Sequence, residues 1–468
     1  GVDRQVYNIV GTESYGFYFA VLNFSVLFYI ILDLGITNFN NRNIAQYNHL
    51  LNKHLAGIGM LKMLLGLVYG VSIILVGWLW GYDKHQMYLL AWVGFNQFLL
   101  SFILYLRSNI SGLLLFKTES YLSVLDRLLM ILICGIFIWT PLTGGKITIE
   151  WFVYSQTAAY LITFCIALFI LLKKSGRLKF SWNFPFYLMI LKRSYPFALL
   201  ALLMSFYNRI DPVLLEKILP GSMGGYQSGI YSASFRLLDA GQNFALLFAV
   251  LLLPLFSKMI KDKTAVEHLL KLSFSLIITG SLIIAITSSF YGKEIMQLMY
   301  TPFQGESELT YLARMADSTE IFKLLMFSLV AISATYIFGT LLTANNSLKY
   351  LNLIALAGLI INLAMNLVLI PRFLALGSAY ASITSQGFTA LLQIGLAYKL
   401  FRFRINYRLI ANILITILLL VLIGFILQFV HFNNWIFSML LMLLAGIGIS
   451  VLLKLINIPE FLSILKSE

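Results

Sequence analysis

Thirteen apolar runs long enough to cross a bilayer succeed one another along the chain, separated mostly by short polar connections. They fall at 15–37, 56–80, 87–106, 122–140, 152–172, 194–215, 229–256, 272–298, 321–343, 351–370, 376–400, 409–430 and 435–455. An α-helix rising ~1.5 Å per residue needs about 20 such residues to span a hydrocarbon core of roughly 30 Å. So much apolar sequence cannot be hidden in one aqueous core. Soluble domains carry about 25% charged residues, whereas this chain has 11% charged and 60% hydrophobic residues. In lipid every backbone donor and acceptor must be satisfied internally, which leaves helices or closed barrels. Ten-residue segments of alternating polarity, the barrel pattern, are absent. The expected class is an all-α integral membrane protein.

The cations orient the spans. Of 33 Lys and Arg, 22 lie in one set of alternating connections and the C-terminal tail, and 8 in the complementary set. Lys62, Arg209 and Arg236 fall inside apolar runs. Cytoplasmic connections are enriched in Lys and Arg, so the richer set is expected inside, with the C-terminus cytoplasmic. The same asymmetry accounts for the net charge of +14 without nucleic acid as a partner. Lys62 is expected to snorkel to the inner interface. Cys134 and Cys165 both sit in apolar runs and read as small core residues. The opening GVDRQVYNIVG reads as a loop that follows an earlier helix. A further N-terminal span is therefore expected ahead of it, which would make fourteen with both ends inside.

An internal repeat is visible. GFYFAVLNF from Gly16 and GIYSASFRL from Gly229 both read Gly-apolar-Tyr-x-Ala at the outer mouth of a span. With one helix restored ahead of residue 15, the copies open the second and eighth spans, so six spans separate them and orientation is preserved. That is the plan of two parallel six-helix lobes related by an axis along the membrane normal. The expected organisation is an N-terminal lobe at 1–175 and a cytoplasmic interfacial linker at 176–193. A C-terminal lobe follows at 194–400, with an appended helix pair at 401–468. The linker alternates basic and aromatic residues, with Trp182, Phe184, Phe186 and Tyr187 expected at the headgroups.

Three blocks resemble the polysaccharide (O-antigen, Wzx-type) flippases of the multidrug/oligosaccharidyl-lipid/polysaccharide exporter superfamily. They are GTESYGFYFAVLNFSVLFYIILDLG, RIDPVLLEKILPGSMGGYQSGIYSASFRLLDA and INLAMNLVLIPRFLALGSAYAS, in that order. The resemblance covers nearly the whole chain, and the order and spacing of the blocks carry it. It implies a MATE-like transporter fold in the bacterial inner membrane. It also implies a function: moving an oligosaccharide on polyprenyl pyrophosphate to the outer leaflet by alternating access. A lipid II flippase and a cation-coupled drug antiporter share this architecture and remain open, as does a membrane polysaccharide polymerase as a different class. A monomer is expected.

The intramembrane charges are the candidate site. Arg236 lies seven residues past Gly229, about 10 Å down a helix, and Asp239 is three residues further on nearly the same face. Arg209, with Asp211 and Pro212 beside it, sits at a similar depth in the preceding run. An Arg or Asp at a helix centre costs roughly 2.5–3.5 kcal/mol on insertion scales, so these four groups are expected to face a wet interior. One reading has Arg236 and Asp239 pair as a structural bridge. The other has Arg209 and Arg236 present cations to a pyrophosphate, which Arg bonds bidentately. Asp211 and Asp239 would then hold the cations or couple an ion. Asn23 stands seven residues past Gly16, as Arg236 does past Gly229, and is expected to face the same cavity. Asp33 and Arg42 read as a helix-end structural pair. Asn96, Gln97, Asn362 and Asn366 read as interhelical hydrogen-bonding groups. Glu306, Glu308, Arg314 and Asp317 in the outer connection 299–320 read as a solvated face.

Enzyme chemistry finds little support. His49, His54, His85, His268 and His431 form no His-x-x-x-His pattern, and no Cys-x-x-Cys or Gly-x-x-x-x-Gly-Lys occurs. Neither a cofactor nor a metal is expected.

Overall fold

The computed structural model describes residues 2–37, 40, 44, 51–139, 147–175, 184–303, 305–430 and 434–457. These residues form fourteen α-helices and one short 3-10 turn, with no strand among them. The helices are α1 (Val2–Val10), α2 (Thr12–Leu27), α3 (Leu51–Trp80), α4 (Lys84–Gly112), α5 (Phe116–Trp139), α6 (Ile149–Ser175) and α7 (Phe184–Arg209). They continue as α8 (Asp211–Ile218), α9 (Ser222–Lys261), α10 (Glu267–Met299), α11 (Glu308–Ala344), α12 (Leu348–Phe401), α13 (Tyr407–Val430) and α14 (Trp435–Leu452). Among the described residues ten helices are long and apolar enough to cross a membrane, or eleven with the bent pair α7–α8 taken as one span. Leu67, Trp78, Phe169, Leu391, Leu418, Phe429 and Leu452 are all more than two-thirds exposed. An apolar surface of that extent belongs in hydrocarbon.

The opening segment departs from expectation. Residues 2–10 form a helix rather than a loop, because Val6 and Tyr7 are buried and the Tyr7 ring packs edge-on against Tyr15 at 5.2 Å. The chain turns at Gly11, at φ +85°.

Contacts divide the chain into two compact units, Gly1–Gly229 and Ile230–Glu468. The division falls within α9. Residues 176–183 of the expected interfacial linker, Trp182 included, lie outside the described residues, as do the side chains of Phe186 and Tyr187. Phe184 is exposed.

In the first unit, Ile36, Leu55, Ile58, Leu61, Tyr105, Leu106 and Leu171 share one buried cluster that ties α3, α4 and α6 together. Thr157 on α6 donates to Asn96 Oδ1 at 2.7 Å, and the Asn96 amide donates to the Val153 carbonyl at 3.2 Å. Asn96 thus joins α4 to α6. The run at 15–37 is not one regular helix. After Leu27 the chain passes through the 3-10 turn Tyr29–Leu32, and Leu34 and Gly35 take positive φ (45° and 81°). Cys134 is buried, but Cys165 is exposed on α6, and both thiols are free. Small size suits Cys134 to the interior, whereas Cys165 occupies the outward face of its helix.

The second unit contains a 54-residue helical segment, α12, that folds back on itself. Leu374 leaves helical geometry at φ 54°, ψ −135°. Ser378 donates to Asn366 Oδ1 at 2.8 Å, and the Asn362 amide lies 3.5 Å from Ser385 Oγ, pairs twelve and twenty-three residues apart. Only a reversal brings such pairs together. A side chain on Gly377 would meet the Leu369 carbonyl oxygen at 2.5 Å, so the arms touch backbone to backbone. This turn separates the runs at 351–370 and 376–400. The C-terminal pair docks on α10 through Ile283, Ile286, Tyr291, Leu420, Leu427 and Met442. Asn412 donates to the Leu453 carbonyl at 2.9 Å, which ties α13 to the end of α14.

Candidate functional site

Arg209 and Asp211 mark a break in a spanning helix. Pro212 has no N–H and crowds the carbonyl of the residue four positions earlier, so α7 ends at Arg209 and α8 begins at Asp211, bent by 51°. Asp211 is fully buried in the first turn of α8, where the helix dipole favours a carboxylate. Arg209 is half-buried at the last residue of α7. The run at 194–215 is therefore broken where its charges lie, not continuous as its hydropathy implies.

Arg236 and Asp239 sit one turn apart on α9, both half-buried. The Gln242 amide donates to Asp239 Oδ1, and the Asn243 amide donates to the Asp239 carbonyl at 2.6 Å. Around them α9 packs on its own unit. Ser234 donates to the Ser318 carbonyl at 2.8 Å, and the Tyr300 hydroxyl donates to the Ala233 carbonyl at 2.9 Å. Arg209 and Asp211 belong to the first unit, Arg236 and Asp239 to the second. Asn23 is buried, with its amide donating to the Phe19 carbonyl at 2.7 Å.

Asp33 has a partner that the sequence does not advertise. Lys62 Nζ lies 2.7 Å from Asp33 Oδ1 and donates to Ser101 Oγ at 2.8 Å. Its side chain is 1% exposed, against 22% for Asp33. Lys62 is thus buried and paired rather than snorkelling, because its side chain turns inward onto the carboxylate that ends the 3-10 turn. The Thr37 hydroxyl also donates to Asp33, and Ser101 donates to the Leu32 carbonyl at 3.2 Å. One carboxylate thereby joins the broken end of the first span to α3 and α4. Arg42 lies outside the described residues.

A second buried ion pair overturns the solvated reading of 299–320. Arg314 bonds Glu306 through Nε and Nη2, each at 2.7 Å, with side-chain exposures of 0% and 1%. Its guanidinium carbon also lies 4.8 Å from the Phe303 ring centroid. Such bidentate, cation–π-flanked geometry is what permits an Arg to be buried. Glu308 and Asp317 are exposed as expected.

The first unit also contains a cavity of about 700 Å³ at the end carrying the Trp80–Lys84 turn. Asp83 caps α4 by accepting from the Gln86 N–H at 2.7 Å. The Gln86 side chain in turn donates to Glu216 Oε1 at 2.5 Å. His85 Nε2 lies 2.8 Å from Glu150 Oε1, with the Phe17 ring stacked on the imidazole at 5.3 Å. With Glu13, four carboxylates and one imidazole face this space. Beside it, burial and the Glu216 charge push the Tyr82 hydroxyl well above its ordinary pKa. Among the described residues no group of three or more His, Cys, Asp or Glu side chains is close enough together to hold a metal ion.

The described residues form an all-helical membrane bundle with charges at a broken span and a folded-back helix pair. The fold is similar to the lipid II flippase MurJ in its inward closed conformation, with a TM-score of 0.72 at 12% identity, covering 97% of this chain and 95% of that one. It is also similar to a multidrug resistance MATE family transporter of the MOP superfamily in its inward-facing conformation. There the TM-score is 0.66 at 15% identity, over 86% of this chain and 93% of that one. The chain belongs to the polysaccharide biosynthesis protein family, whose pattern matches residues 6–260. It is also 28% identical over 207 residues to the capsular polysaccharide biosynthesis protein CapF of Staphylococcus aureus. That match covers 44% of this chain and 48% of the length of CapF, so it spans about half of each.

Proposed function

We propose that this protein is a flippase in the bacterial inner membrane, with its C-terminus in the cytoplasm. It moves an oligosaccharide on polyprenyl pyrophosphate to the outer leaflet by alternating access. Family membership supplies the polysaccharide context, and the fold supplies the transporter class. The observation that carries the reading is the half-buried Arg209 beside the fully buried Asp211 at the break of a spanning helix. Irregular backbone at membrane depth is tolerated where it lines protein or a water-filled path, and broken helices bind substrate in other transporters. Arg236, the half-buried cation of α9, is the other candidate, and Arg binds pyrophosphate oxygens through a planar, permanently charged fork. The polyprenyl chain stays in lipid while the headgroup crosses. Asp211 and Asp239 hold the guanidinium groups between cycles.

The test is glycan export by an Arg209→Ala, Arg236→Ala double variant at normal membrane abundance. Export is expected to fall to background, and full export would refute the pyrophosphate role. A lipid II flippase is the nearer rival, favoured by the similarity to MurJ. Rescue of a strain lacking its own lipid II flippase would select that reading. A drug antiporter fits less well, because two guanidinium groups repel cationic drugs.

A further inference from the structure

The second unit has a cavity of its own, of about 480 Å³, at the end where α12 passes into α13. Its walls are apolar: Phe274 of α10, Phe338 of α11, Ile394 and Tyr398 of α12, and Leu409 and Ile410 of α13. Gly395 and Ile410 in the lining are exposed, as are Leu391 and Leu414 further along the same two helices. The cavity thus opens sideways onto a face that meets hydrocarbon. A dry apolar space takes up an apolar guest rather than water.

Two polar residues share the lining, Lys271 and Asn406. Asn406 Oδ1 accepts the Leu409 N–H at 3.0 Å at the start of α13. A helix N-terminus favours an anion through its free N–H groups and its dipole. Lys399, Arg402, Arg404 and Arg408 flank this point, and none of them is in an ion pair among the described residues. Their charge is uncompensated by sequence too, since no Asp or Glu occurs from 321 to 459. Lys271 lies 2.6 Å from Glu267 on its own helix. The connection that bears the arginines is fixed in place. Arg402 ends α12 at φ 52°, and the Phe403 ring stacks on Phe401 at 5.4 Å and meets Tyr398 edge-on at 5.7 Å. Since Tyr398 is a wall of the cavity, these cations are held beside it.

We propose that this cavity binds an anionic phospholipid, with one acyl chain in the apolar space and the phosphate at the start of α13, among Lys271, Arg404 and Arg408. A zwitterionic lipid offers the same chains but carries a cation of its own, which these side chains repel. Such a site would exist whether or not the protein carries a pyrophosphate.

The test is native mass spectrometry of the full chain in neutral detergent, titrated with phosphatidylglycerol and, separately, with phosphatidylcholine of the same acyl chains. Phosphatidylglycerol is expected to bind about tenfold or more tightly, since each nearby cation contributes about fivefold. A Cβ on Gly395 meets nothing within 4 Å, so Gly395→Leu fills the cavity without a clash and should weaken both lipids. Arg404→Gln with Arg408→Gln should bring phosphatidylglycerol to the level of phosphatidylcholine and leave the latter unchanged. Equal binding of the two lipids by the unaltered chain would overturn the proposal. So would phosphatidylglycerol binding that neither variant weakens. Should Gly395→Leu fail to fold, Ile410→Trp at an exposed wall position carries the same expectation. Glycan export by the Arg209, Arg236 double variant reports on the pyrophosphate alone, so the two readings fail separately.

Discussion

Replacing Asp33 should be the most damaging single change where the first span of the first unit breaks. Lys62 Nζ has Asp33 Oδ1 at 2.7 Å, Ser101 Oγ at 2.8 Å and the Ser101 carbonyl at 3.4 Å, and its side chain is 1% exposed. Asp33→Ala would leave that ammonium among neutral oxygens only. Removing one member of a buried pair costs about 3–5 kcal/mol, whereas replacing the whole pair by apolar groups is often neutral or stabilising. An interhelical hydrogen bond in a membrane is worth only about 0.6 kcal/mol on average, so the two accounts are well separated. Equilibrium unfolding in mixed micelles should show Asp33→Ala destabilised by about 3 kcal/mol or more. Lys62→Met in the same background should restore most of the loss, and Asp33→Asn should fall between. A loss below about 1 kcal/mol would reduce the contact to an ordinary hydrogen bond. Failure of Lys62→Met to rescue would show that Asp33 acts through Thr37 and the backbone turn instead. Either result refutes the reasoning.

Two further outcomes are expected. Arg314→Met should destabilise the second unit by about 3 kcal/mol or more by stranding Glu306; it should also expose 300–307 to added protease, whereas Arg314→Met with Glu306→Leu should regain much of the protection. A reporter fused after Glu468 should be active only in its cytoplasm-dependent form, since 22 cations lie in the connections assigned to the inside against 8 opposite; activity of the export-dependent form would invert the topology.

Spans were legible because each must supply its own apolar length. The reversal within α12 also left a trace, since Pro371 and Gly377 bracket Leu374 and a run of polar Asn and Ser residues lines both arms. The breaks at Tyr29–Leu32 and at Ile210 were not legible from hydropathy, which averages over a helix end and its bend alike. Pro212 was the available signal for the second break. Lys62 was misread because its partner is twenty-nine residues away, and a lone Lys near a span end ordinarily reaches water. Glu306 and Arg314 looked solvated because polar connections usually are, and nothing local announces that Phe303 and the Glu306 carboxylate enclose the guanidinium. Helix α1 escaped notice because nine residues make a weak helix alone, and Tyr15 supplies the packing that holds it. The contact between Gly16 and Gly229, so close that a Cβ on Gly16 would lie 2.3 Å from the Gly229 nitrogen, was half legible. The motif marked both glycines as equivalent, but equivalence does not reveal adjacency.

The fold-back at Leu374 has a consequence for biogenesis. Its two arms are joined at Leu374 and hydrogen-bonded through Asn366 and Ser378, so they are expected to enter the lipid as a paired unit. Lengthening the turn would uncouple the arms during insertion, so this bend is where the chain should tolerate added residues least.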